Sequence, residues 1–194
     1  MWPGDEPVQS SALRYDNGVQ VGRFAMGAHT GTHVDAPRHV LGPDADGVEA
    51  LDLGLLVGEA AVVDLTSAVP PGVKSFGDRA LSAQLGDNAP LRLLLRLRPK
   101  PTSQTTFLAY PAPDLSAARW LVAHGVRLLG LDVPSVDVPE AEDLAVHRVL
   151  LEAGLVIVEN LMLCGVPVGS WQFACLPLRL VGADGAPARV LLWR

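Results

Sequence analysis

The stretch SAARWLVAHGVRLLGLD, Ser116 to Asp132, reads as one helix-to-strand unit. Ser116 can cap a helix running to about His124, Gly125 supplies a left-handed stop, and residues 126–131 form an apolar strand ending at Asp132. A second unit follows. Pro139 takes a first-turn position, Glu140, Glu142 and Asp143 suit the positive helix end, and the body runs through Ala153 to the stop at Gly154. Residues 155–158 are its strand. Toward the N-terminus, residues 19–26 alternate loosely and residues 60–65 form a short apolar run suited to a buried strand. Residues 91–98 set Leu91, Leu93, Leu95 and Leu97 against Arg92, Arg96 and Arg98, the pattern of a strand with one wet face. Residues 99–113, rich in Pro, Thr and Ser, read as a loop. Toward the C-terminus, residues 178–181 and 188–193 flank Ala183-Asp184-Gly185, a hairpin signal. Strands first, then strands and helices mixed, with no repeat or linker, predict an α/β (α+β) single domain over residues 1–194.

The chain is 49% hydrophobic and 19% charged over 194 residues, enough to bury a real core. Fifteen basic against 21 acidic residues give a net charge of -6, which leaves no footprint for phosphate contacts. Nucleic acid is not an expected partner. Residues 160–178 are uncharged yet contain Asn160, Gly165, Pro167, Gly169, Gln172 and Pro177, so buried strands joined by turns explain them better than a membrane span. The two cysteines, Cys164 and Cys175, lie in no C-x-x-C pair, and residues 1–6 have no basic or apolar signal-peptide region. A reduced, cytoplasmic setting is the expectation.

Chemistry concentrates in His29-Thr30-Gly31-Thr32-His33-Val34-Asp35-Ala36-Pro37-Arg38-His39, where three of the five histidines surround a carboxylate. Random scatter would put about 0.3 histidines in such a window. Imidazole and carboxylate together are the ligand set of borderline divalent ions such as zinc. Thr30, Gly31, Thr32, Val34 and Pro37 are poor helix material, which excludes a helical metalloprotease motif. In an extended chain His33 and Asp35 share a face, roughly 6.6 Å apart. His29 joins them only through a bend, and Gly31 can make it. Three ligands in seven residues leave a position open, the layout of a catalytic site. His147, on the helix face of Leu144 and Leu151, and Glu159, ending the next strand, could converge on a second position. Each alone also fits a satisfied core histidine and a strand-end charge. His124 sits at a helix C-terminus and carries no chemistry.

The pattern H-x-G-T-H-x-D-x-P-x-H resembles the signature of the cyclase-like metal hydrolases, bacterial kynurenine formamidases above all. Trp2-Pro3-Gly4-Asp5 is similar to the family's W-P-G-D, residues 131–137 to its I-D-x-x-S-V-D, and residues 175–180 to its late L-P-L-R strand. Members usually carry a further short strand before W-P-G-D, whereas here Met1 stands immediately before Trp2. The resemblance implies a swivelling β/β/α domain with a mixed sheet, a homodimer and two divalent ions, zinc as the usual metal with manganese as the alternative. By position, His29, His33 and Asp35 match the ligands of one ion, and Asp35 would bridge to a second held by His147 and Glu159. His39 matches the catalytic histidine, and Trp2 the aromatic that contacts substrate. The implied reaction is hydrolysis of N-formyl-L-kynurenine to L-kynurenine and formate in tryptophan degradation. A sister activity, ring opening by an isatin-type hydrolase, would use the same ligands. A purely structural metal site has no use for His39, and a serine hydrolase is disfavoured because no G-x-S-x-G occurs.

Overall fold

The computed structural model describes residues 7–70, 72–100 and 109–194. The described chain opens with a hairpin of β1 (Gln9–Arg14) and β2 (Gln20–Ala25), every residue of which is exposed. Gly31, at φ 72°, turns the backbone into β3 (His33–Asp35), which is wholly buried. Then come α1 (Arg38–Leu41), α2 (Leu53–Leu56), β4 (Val57–Asp64), β5 (Ser75–Phe76), α3 (Asp78–Leu85), β6 (Arg92–Arg96) and β7 (Ala112–Pro113). The helix-to-strand units follow as α4 (Leu115–Ala123), β8 (Leu128–Leu131), α5 (Ala145–Glu152) and β9 (Val156–Glu159). A hairpin of β10 (Gly169–Pro177) and β11 (Gly185–Trp193) ends the chain.

Among the described residues, seven strands close into a barrel in the order β10, β11, β3, β9, β8, β6, β4. β4, β6, β8 and β9 pair in parallel, as crossovers through α3, α4 and α5 require. β3, β10 and β11 join antiparallel. The interior is filled by Val34, Ala60, Val62, Leu94, Val158 and Phe173. The outer face of the same strands, with Leu93, Leu129, Leu131 and Ile157, packs against Leu121 of α4 and Val146 and Leu150 of α5. Burying one such side chain stabilises by about 1.5–3 kcal/mol, so the strands are held from both faces. Side chains alternate along a strand. His33 and Asp35 flank Val34, and Glu159 follows Val158, so all three project to the helix side, toward α5.

Four expectations are corrected. β6 has no wet face: Leu93, Leu94 and Leu95 are fully buried, and Arg92 is only 8% exposed. Its guanidinium donates to the carbonyls of Gly54, Leu55 and Glu59, and Arg96 pairs with Asp64, so a buried arginine mimics a polar face in the alternation. The cap of α4 is Asp114, whose side chain accepts from the Ser116 and Ala117 amides, rather than Ser116. α5 starts at Ala145, not near Pro139, because Leu144 adopts a left-handed φ of 48° just before it. The first arm of the last hairpin is β10, and residues 178–181 belong to the loop that leads to β11. Part of the expected 99–113 loop, residues 101–108, lies outside the described residues, and Ala112–Pro113 pair with β5.

Candidate metal centre

Register assembles the site. In the β3–β9 ladder His33 stands opposite Glu159, and in the β11–β3 ladder Gly185 stands opposite Asp35. Asp35, fully buried, lies at the middle. Its Oδ1 is 2.8 Å from His29 Nδ1 and 3.2 Å from His33 Nε2, and its Oδ2 is 3.6 Å from His147 Nε2. Glu159 completes the ring, 3.5 Å from His33 Nε2 and 3.3 Å from His147 Nε2. Every site residue expected within the described chain therefore arrives at one place: His29, His33, Asp35, His39, His147 and Glu159. Trp2 lies outside the described residues.

Each imidazole has its outer nitrogen tied to the protein. His33 Nδ1 donates to the Gly31 carbonyl at 2.9 Å, and His147 Nδ1 to Asp137 at 2.6 Å. His29 Nε2 donates to Asp184 at 2.9 Å, and His39 Nδ1 meets the same Asp184 oxygen at 3.3 Å. The other ring nitrogens of His29, His33 and His147 face Asp35 and Glu159. Outer hydrogen bonds of this kind fix tautomer and ring orientation in metal sites. Residues 131–137 form the supporting frame. Asp132 accepts from the Leu97 and Arg98 amides, the Val136 amide donates to Glu159, and Asp137 accepts from the Val146 and His147 amides at the start of α5.

The donor set fits a cation. His33 Nε2 and Asp35 Oδ2 are buried and have no hydrogen-bond partner, an arrangement a protein keeps at a cost of about 1–3 kcal/mol per group. Donor atoms of His33, Asp35 and Glu159 lie within 4.8 Å of one another, as do those of His29, Asp35 and His39. Burial works against charge on His33, but the carboxylates of Asp35 and Glu159 outweigh it and raise the group to about 9. His147 is raised well above its ordinary value against burial by Asp137, Asp35 and Glu159. Asp35 is held well below the carboxylate range, its burial outweighed by the surrounding imidazoles. His39 differs: burial, with repulsion from His29 and His147, pulls it down. It is the imidazole most disposed to stay neutral.

Asp137 and Asp184 escaped the sequence analysis as functional residues. Asp137 lies in the S-V-D piece of the 131–137 motif and carries no metal spacing. Asp184 sits in the Ala183-Asp184-Gly185 turn, where an Asp-Gly pair signals a bend and masks a second role. The signal that could have found Asp184 is the β3–β11 register, which is not visible in one chain's pattern.

Known proteins show the same arrangement of chain. The model of the Cyclase family matches residues 1–138. A kynurenine formamidase of Bacillus cytotoxicus is 37% identical over 98% of this chain and 90% of its own length. Another from Geobacillus thermodenitrificans is 38% identical over 99% of this chain and 90% of its own. Among solved structures, a "predicted metal-dependent hydrolase" from Bacillus stearothermophilus superposes with a TM-score of 0.75 at 28% identity, covering 95% of this chain and 86% of that one. Isatin hydrolase A of Labrenzia aggregata shares the fold, with a TM-score of 0.82 at 20% identity over 98% and 84% of the two chains. With a family model matched over more than half its length and relatives this similar from end to end, the chain belongs to the Cyclase family.

Proposed function

We propose that this protein is a metal-dependent amidohydrolase that cleaves N-formyl-L-kynurenine to L-kynurenine and formate. The observation that carries the chemistry is one cluster of four imidazoles and two carboxylates, buried at His33, Asp35, His147 and Glu159, with the unpartnered His33 Nε2 and Asp35 Oδ2 inside it. The substrate assignment rests on end-to-end similarity to kynurenine formamidases. His29, His33 and Asp35 would hold one divalent ion, and Asp35, His147 and Glu159 a second, zinc before manganese. When bound, such ions supply a water nucleophile at neutral pH and offset charge building on the carbonyl oxygen.

The chain's own residues do the rest. His39 keeps its Nδ1 proton on Asp184, which leaves Nε2 as a base. It takes a proton as water adds to the formyl carbon, then delivers it to the aryl nitrogen as the carbon–nitrogen bond breaks, so formate and the amine leave. General acid–base catalysis of this kind contributes about 10²–10⁴ in rate. Trp2 is assigned to the substrate's aromatic ring. A homodimer is supported by the exposed β1–β2 hairpin, where Leu13, Tyr15, Val21 and Phe24 meet solvent, because a lone two-stranded hairpin is marginal in water. Among the described residues no helix is long and apolar enough to cross a membrane. Cys164 and Cys175 are free thiols, which supports a reducing, cytoplasmic setting.

The test is formate release from N-formyl-L-kynurenine beside isatin ring opening, with metal analysis of the same sample. Formamide should be the better substrate, with two divalent ions per chain and fewer in His147→Ala. His39→Ala should keep its metal while kcat falls about 10²-fold or more. Faster isatin opening would overturn the substrate assignment. A second role for His39 has its own support, since its donor atom lies within 4.8 Å of those of His29 and Asp35. Metal loss in His39→Ala would make it a ligand.

A further inference from the structure

The β10–β11 loop places a carboxylate against two imidazoles that have different jobs. Asp184 Oδ2 is 2.9 Å from His29 Nε2 and 3.3 Å from His39 Nδ1, and the two rings lie tilted with centroids 4.1 Å apart. Both carboxylate contacts are distant in sequence: Asp184 is 155 residues from His29 and 145 from His39. The loop is pinned from several sides. The Ala36 amide donates to the Asp184 carbonyl and the Val48 amide to the Ala183 carbonyl, both at 2.9 Å. The Gly182 amide donates to Glu49 at 2.8 Å. Next to Asp184, Gly185 lets the loop close on His29: a Cβ there would lie 2.7 Å from the ring carbon Cε1 and 2.9 Å from the Val34 carbonyl oxygen.

We infer that Asp184 is the positioning residue of this centre, a single carboxylate oxygen that fixes the tautomers of His29 and His39 together. A neutral imidazole has one N–H and one lone pair, and whichever nitrogen donates decides which one is left for chemistry. By receiving Nε2–H of His29, Asp184 leaves Nδ1, 2.8 Å from Asp35, as the nitrogen presented to a cation. By receiving Nδ1–H of His39, it leaves Nε2 as the proton acceptor. His33 and His147 have separate partners, the Gly31 carbonyl and Asp137. Asp184 alone among these four contacts ties an ion-holding imidazole to the proton carrier. A shift of the loop would disturb both at once.

The part concerning proton transfer rests on the proposed function, and the part concerning tautomers does not. The experiment uses the full zinc-loaded chain, with Asp184→Ala and Asp184→Asn beside the native protein. Long-range proton–nitrogen spectra of ¹⁵N-labelled histidines report which ring nitrogen carries the proton. Competition with a chelator reports zinc affinity, and formamide hydrolysis gives kcat and KM. In the native protein His39 should show its proton on Nδ1. In Asp184→Ala that signal should average between tautomers, zinc affinity should fall about 10- to 100-fold, and kcat should fall at least about 10-fold with KM nearly unchanged. Asp184→Asn keeps one oxygen where both N–H groups point, so it should restore the tautomers and most of kcat. The inference is overturned if Asp184→Ala retains native tautomers and zinc affinity, or if Asp184→Asn is indistinguishable from Asp184→Ala. If the native protein releases no formate, the substrate assignment fails while the spectra and zinc competition still decide the role of Asp184.

Discussion

Asp137 performs two tasks whose energies can be separated. Its Oδ1 accepts from the Val146 amide at 3.1 Å, and its Oδ2 accepts from the His147 amide at 3.0 Å and from His147 Nδ1 at 2.6 Å. It therefore caps α5 from seven residues before Leu144 and holds the ring of a proposed metal ligand. Losing a helix cap costs about 0.5–2 kcal/mol. Losing a buried hydrogen bond to a charged group costs about 1.5–3 kcal/mol. Asp137→Ala should then destabilise the native chain by about 2–5 kcal/mol, but by only the capping part, about 0.5–2 kcal/mol, when His147 is already alanine. The double-mutant cycle of Asp137→Ala and His147→Ala should yield a coupling energy of about 1.5–3 kcal/mol. Urea denaturation in excess chelator measures it without a contribution from bound ions. A coupling energy below about 0.5 kcal/mol would refute the bond's role in holding the ring, leaving Asp137 a cap and nothing more.

Two further outcomes are expected. Gly185→Ala would drive its Cβ against His29 and the Val34 carbonyl, and since the latter is backbone the clash cannot be relieved by a rotamer. It should cost about 1–3 kcal/mol, a Tm lower by roughly 2–12 °C in a thermal melt of the chelated protein, and an unchanged melt would contradict the close packing. Asp132 is pushed up to about 6 by burial, against the Leu97 and Arg98 amides that favour its charged form. Because its folded value exceeds the ordinary 3.8, its contribution is fully present below about pH 4 and is lost as pH rises through about 6. The stability of the native chain relative to Asp132→Asn should therefore fall between pH 4 and 7, as read from urea midpoints, and a pH-independent difference would count against it.

The parts of the site that obey a local rule were legible in the sequence. Period-two alternation put His33 and Asp35 on one face around Val34, the freedom of Gly31 supplied the bend to His29, and helical spacing turned His147 inward with Leu151, although Leu144, expected on the same face, precedes the helix. Glu159 was found because it ends an apolar run. What was hidden depends on partners distant in sequence. The arginines of β6 read as solvent-facing because alternation cannot reveal that Arg92 would be surrounded by the carbonyls of Gly54, Leu55 and Glu59. The start of α5 was misplaced because its capping carboxylate, Asp137, comes from outside the helical pattern, so the acids at 140–143 looked like the first turn.

The centre is built in two layers, an inner pair of carboxylates, Asp35 and Glu159, and an outer set of acceptors, the Gly31 carbonyl, Asp137 and Asp184. Asp35 is 0% exposed and Glu159 4%, and charges so buried carry desolvation penalties of several kcal/mol each. A fold whose net stability is about 5–15 kcal/mol holds them only with strong compensation. Part of that compensation comes from the imidazoles, whose attraction to Asp35 and Glu159 raises His33 to about 9 and His147 well above its ordinary value and holds Asp35 low. A divalent ion held by the same donors would take over that role, and it would need imidazoles with a lone pair on the inner nitrogen and a proton on the outer. Gly31, Asp137 and Asp184 receive those outer protons. On the proposed reading the inner layer would draw in the cation, and the outer layer would let each ring meet it with a lone pair.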